Sequence, residues 1–172
     1  MRWVRFTIIL VIVTLLNSGN LLNTISVGNL NIRPDMLLIL LLFFGINCDA
    51  TSAIIASFAI GFAADVSGLS MGPYIISYGI FGSLISQMRK VVIMKRMVHQ
   101  SMAIFFTGVI AGGFAQILIL FKTGEVALNL FVVLPGTALY SGIVGPLIWL
   151  LLSALSEWLG IRKHHFGRLS SR

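Results

Sequence analysis

The sequence predicts an all-α polytopic membrane protein of six transmembrane helices, on three observations. The first is composition: 58% of the 172 residues are hydrophobic and 10% are charged, against about 45–50% and ~25% in soluble domains. Mean hydropathy is correspondingly high, +1.01. The second is length. A span takes ~20 residues, so the chain holds about six spans with short loops and no sizeable extramembrane domain. The third is charge: 12 Lys and Arg stand against 5 Asp and Glu, and the basic residues gather in alternate loops, as the positive-inside rule requires. Disorder needs the opposite composition. The lone Cys48 excludes an internal disulfide and the usual cysteine zinc sites. No run interleaves basic and aromatic residues, so the net charge of +7 is read as membrane topology and not as nucleic-acid binding.

The first span covers about 3–22. Its opening Arg2-Trp3-Val4-Arg5 and apolar run resemble a signal peptide, but Asn17-Ser18-Gly19-Asn20 offers no small-x-small cleavage site, so it is read as uncleaved. Residues 23–33 are mixed and suit an interface. Pro34 is placed in the first turn of the second span, about 34–47, where its missing N–H costs nothing. Asn47-Cys48-Asp49 turns the chain into the third span, about 50–67, and Gly72-Pro73 opens the fourth, about 73–88. The fifth is about 98–121. Pro135-Gly136 is taken to break a short apolar stretch, so the sixth begins near 137 and runs to about 160. Residues 162–172 form a basic tail, and 1–161 a single transmembrane domain.

Six spans put both termini on one side. That side then carries Arg2, Arg5, Arg89, Lys90, Lys95, Arg96, Arg162, Lys163, Arg168 and Arg172, and the other only Arg33 and Lys122. The termini and the basic anchors Arg89, Lys90, Lys95 and Arg96 are therefore expected in the cytoplasm.

Small residues recur at helical spacing in three spans: Ser57 and Gly61 (with Asp65) in the third, Gly79 and Ser83 in the fourth, Gly108 and Gly112 in the fifth. Such stripes permit close helix approach, either within the bundle or to a partner's span. At least one is expected to face a partner. Arg33, Asp35 and Asp65 fall at the same outer interface on adjacent spans. An ion pair of Asp65 with Arg33 is expected to tie spans two and three together, since a lone carboxylate there is costly. No nucleophile–base set, phosphate loop or metal-ligand motif occurs, so no enzyme activity, cofactor or metal is expected.

Arg33-Pro34-Asp35 before a Leu-rich span, Gly61-Phe62-Ala63-Ala64-Asp65-Val66 closing the next, and Met71-Gly72-Pro73-Tyr74 opening the fourth resemble the rod-shape-determining MreD family. The resemblance implies a non-enzymatic scaffold of the bacterial inner membrane. It would bind the single-span protein MreC, and through it connect MreB, RodA and the elongation transpeptidase. It also implies a fold like the substrate-binding subunits of energy-coupling-factor transporters. The alternative reading is such a subunit itself, a six-span binder of a vitamin-type molecule. A second copy of the chain is a further candidate partner.

Overall fold

The computed structural model describes residues 2–18, 33–68, 71–88, 97–124, 130–156 and 159. These form six helices: α1 (Trp3–Ser18), α2 (Met36–Asn47), α3 (Ala50–Ser67), α4 (Pro73–Met88), α5 (Met97–Thr123) and α6 (Leu130–Leu155). α3, α5 and Phe131–Leu155 of α6 are long and apolar enough to cross a membrane, and α1 and α2 are shorter apolar helices. The chain is a multi-pass membrane protein. The basic anchors Arg89, Lys90, Lys95 and Arg96, the tail 162–172, and the expected span ends 19–22 and 157–158 lie outside the described residues.

α2 is the hub. Its sequence from Leu37 to Phe44 is apolar on every side, the pattern of a helix buried all round. Each of these side chains is at most 2% exposed. α2 packs against all five other helices. The others follow one another around it in the order α1, α3, α4, α5, α6, each touching the next; among the described residues α6 does not pack back onto α1, so these helices form an open ring. Phe44 of the hub meets Phe6 of α1 edge-on at 4.9 Å, and Phe43 meets Trp149 of α6 at 5.1 Å. Edge-to-face pairs of this kind add about 0.5–1.5 kcal/mol beyond area burial.

The two ends of the chain come together, the Arg2 N–H donating to the Leu159 carbonyl at 3.1 Å. We call this the terminal end of the bundle and the other the distal end. The outer faces of the ring are greasy: Val11 and Leu15 on α1, Phe62 on α3, Phe106 on α5 and Leu147 on α6 are all exposed, as suits side chains that meet lipid.

Three helices differ in bounds from the sequence reading: α5 is longer by one residue at its start and two at its end, and the starts of α2 and α6 shift. Pro34 lies outside α2, because Asp35 is the N-cap and its carboxylate accepts the Leu38 N–H at 3.0 Å. Pro135-Gly136 does not break the chain. α6 starts at Leu130 and runs through both Pro135 and Pro146. Each proline removes one helical hydrogen bond, a loss that transmembrane helices absorb through their neighbours and local adjustment.

Candidate functional site

The glycine stripes are consumed inside the bundle. A Cβ on Gly61 would lie 2.7 Å from the Tyr74 carbonyl oxygen and 2.8 Å from the Ile75 Cα, so α3 and α4 touch backbone to backbone. A Cβ on Gly79 would lie 2.4 Å from the Phe58 ring. Gly108 faces Leu38 and Ala138, and Gly112 faces Leu134, so that stripe seats α5 against the hub and α6. The hydroxyl of Ser57, buried, donates to the Ala53 carbonyl at 2.7 Å, and that of Ser83 to the Gly79 carbonyl at 2.6 Å. Gly82, which the sequence reading passed over, is the tightest of these contacts: a Cβ there would sit 1.9 Å from the Ser57 oxygen. The signal was present, because Ser57 is one turn from Gly61 and needs a small residue opposite it.

Asp65 does not pair with Arg33. Its side chain is buried at 1% exposure, and its two oxygens accept the N–H groups of Tyr74 and Ile75 at 3.0 and 2.9 Å. The reason lies in the turn. Gly72 stands before the first residue of α4 with φ +115, a conformation that favours glycine, and glycine has no capping side chain. Pro73 supplies no N–H. The orphan donors of the next two residues are therefore satisfied from α3, by a carboxylate that also complements the helix dipole. Gly61, one turn before Asp65, gives the close approach that lets it reach. The Lys122 ammonium donates to the Met71 carbonyl in the same connection.

Asp35 anchors a second network. The Tyr78 hydroxyl, buried, donates to its Oδ2 at 2.6 Å, and its own N–H donates to the Ser141 Oγ at 2.7 Å. Ser141 in turn donates to the Thr137 carbonyl. Thus α2, α4 and α6 are tied at one level. On α4, Ser77 donates to the Ala111 carbonyl of α5 at 2.6 Å. The Tyr74 and Tyr78 rings stack edge-on with centroids 5.6 Å apart.

Around this network lie two cavities. The larger, about 360 Å³, is lined by Asn17, Arg33, Asp35, Tyr74, Tyr78 and Thr137, with Ala64, Ser67 and Gly68 from the end of α3. It sits at the distal end, lined by Asn17 of α1 and by Val133 and Thr137 of α6. A deeper one of about 180 Å³ shares Asp35, Tyr74, Tyr78, Val133 and Thr137, and adds Gln116, Ser141 and the glycines of α5. Arg33 and Asp35 both line the larger cavity. Asp65 is not among the lining residues of either cavity; it caps α4. Among the described residues no cluster of three or more metal-ligating side chains occurs.

The family model for the rod shape-determining protein MreD matches residues 1–158. The chain belongs to the MreD family. No curated relative and no solved structure matches it. As an MreD-family protein it has a role in rod shape determination and is a non-enzymatic membrane protein. In this MreD-family chain, the residues that carried the resemblance are those that build the distal end: Arg33 and Asp35 line the cavity, Gly61 and Asp65 seat α4, and Gly72-Pro73 start it.

Tyr78→Phe keeps the ring but removes the donor to Asp35. It is expected to lower stability by about 1–3 kcal/mol, the range for losing a buried partner, read as an earlier unfolding midpoint in mild detergent.

Proposed function

We propose that the protein is a non-enzymatic scaffold of the bacterial cell-elongation machinery, which binds MreC and helps maintain rod shape and lateral peptidoglycan synthesis. MreB, RodA and the elongation transpeptidase are reached through that partner. The observation that carries the reading is the open ring in a chain of the MreD family. With the glycine stripes filled internally, the α1–α6 opening is the recess where a partner's span meets both lipid-facing helices, its juxtamembrane segment over the cavity mouth. Both termini are assigned to the cytoplasm, which puts the distal cavity on the outer side of the inner membrane. The 10-to-2 division of basic residues supports this, and so does the meeting of both chain ends in the bundle.

Two measurements test it. Reporter fusions are expected to read cytoplasmic after Arg96 and Arg168 and periplasmic after Glu125; a periplasmic tail refutes the topology. Thr137→Trp, in the mouth, is expected to cut recovery of the single-span partner from detergent extracts, whereas Ile110→Trp, on the outer face of α5, leaves it unchanged. Equal recovery places the partner elsewhere.

The cavity itself favours a second reading, the small-molecule-binding subunit, because aromatic and polar side chains converge on it as they do in ligand pockets. Mass spectrometry of the purified protein separates the two: a stoichiometric vitamin-type ligand with no protein partner supports the carrier.

A further inference from the structure

Arg33 and Asp35 line one cavity and carry opposite charges, yet they form no ion pair with each other, and Arg33 has no hydrogen-bond or ion-pair partner among the described residues. A guanidinium and a carboxylate that share a chamber in a membrane protein ordinarily neutralise one another, because a lone charge there is costly. Here they are held apart. Pro34 stands between them and disfavours helical backbone at Arg33. Asp35 is held by the Leu38 N–H on one oxygen and the Tyr78 hydroxyl on the other. The Leu37 backbone N–H also bonds this carboxylate, and a carboxylate offers about four acceptor sites in all, so it keeps capacity for one more donor. The chamber between them has a volume of about 360 Å³, within the ~300–1,000 Å³ of ligand pockets, and Tyr74 and Tyr78 are among the residues that line it.

We propose that this cavity binds a zwitterion carrying a phosphate and a primary ammonium, the phosphate on Arg33 and the ammonium on Asp35 beside the two tyrosines. Arg33 suits the anion because its planar fork donates two parallel hydrogen bonds to a phosphate. Asp35 suits an ammonium because its carboxylate accepts charge-assisted N–H hydrogen bonds. A simple anion leaves Asp35 facing it with like charge, and a simple cation does the same to Arg33. The chemistry is that of phosphoethanolamine. The headgroup of phosphatidylethanolamine carries this chemistry with its acyl chains left in the bilayer; the free headgroup carries it from the aqueous side.

The test uses the full chain purified in mild detergent, then exposed to an equal mixture of phosphatidylethanolamine, phosphatidylcholine and phosphatidylglycerol, with bound lipid read by native mass spectrometry. Phosphatidylethanolamine is expected to dominate on the wild type. Arg33→Gln and Asp35→Asn are each expected to weaken its retention about tenfold, as the loss of one charge-assisted contact does. Their melting curves in detergent confirm that they are folded. Free O-phosphoethanolamine separates the sources: displacement of the lipid by it, with a rise in melting temperature, assigns the site to the soluble headgroup, and lack of displacement assigns it to the lipid. Equal retention of all three lipids, or wild-type retention by the folded Arg33→Gln, Asp35→Asn double variant, overturns the proposal. So does displacement of the lipid only by a peptide of the partner's juxtamembrane segment whose binding ignores both substitutions. Partner recovery is measured on the same variants, so loss of lipid with the partner retained, or the reverse, tells this site from the scaffold contact.

Discussion

Gly61→Leu is expected to eliminate the folded protein. The added Cβ alone would overlap the Tyr74 carbonyl oxygen at 2.7 Å and the Ile75 Cα at 2.8 Å, both of them backbone atoms. A flexible side chain can move aside; two helix backbones cannot separate without opening the whole α3–α4 interface. Overpacking a core ordinarily costs about 1–3 kcal/mol, and here it also pulls Asp65 away from the donors it caps. The expected result is loss of the monodisperse peak in size-exclusion chromatography of a fluorescent fusion, with aggregated or degraded material in its place. Gly113→Ala is the control: nothing lies within 4 Å of its added Cβ, and alanine is the better helix former by about 1 kcal/mol. A Gly61→Leu protein that melts like wild type would show that α3 and α4 do not touch there.

The second large effect is at Asp65. Asp65→Ala leaves the buried N–H groups of Tyr74 and Ile75 without acceptors, each worth about 1–3 kcal/mol when unsatisfied. A fall in stability of a few kcal/mol is therefore expected, with α4 unmoored at its first turn. Asp65→Asn keeps one acceptor oxygen and should fall between. Arg33→Gln should leave the melting point nearly unchanged, because Arg33 is not the partner of Asp65. If instead Arg33→Gln and Asp65→Ala destabilise equally, and the double variant adds nothing, an ion pair holds the site and the cap does not.

These two positions also show how far the sequence could be read. α3 and α4 have the bounds expected of them, since Asn47-Cys48-Asp49 and Gly72-Pro73 are turns whose chemistry is local. The start of α6 was not legible. Pro135 is a breaker by local rules, and its place inside a helix depends on the hub and α5 packed beside it. The stripes were legible as close-packing surfaces but not in their direction. Gly61 and Gly108 look alike in sequence, and only the fold says that both point inward. Asp65 was legible as a residue that needed a partner. A charged neighbour was the natural candidate, yet the donors were backbone N–H groups, which no residue type advertises. The hint lay at Gly72: a helix start with no capping side chain of its own must borrow one. The cavity was illegible as a volume, although Arg33 and Asp35, which line it, were picked out.

The hub helix has a consequence for thickness. α2 has 12 residues and α5 has 27, so at 1.5 Å per residue they are about 18 and 40 Å long. The bilayer's hydrocarbon layer is about 30 Å deep. α2 is sheathed by protein on every side, so it never meets lipid, and hydrophobic mismatch exerts no force on its length. The ring must match the membrane; the plug inside it need not. The distal cavity is lined by Asp35, the N-cap at which α2 starts. Its depth is then set by where α2 begins, and one added turn ahead of Met36 would fill it while leaving the membrane-facing outline of the protein as it is.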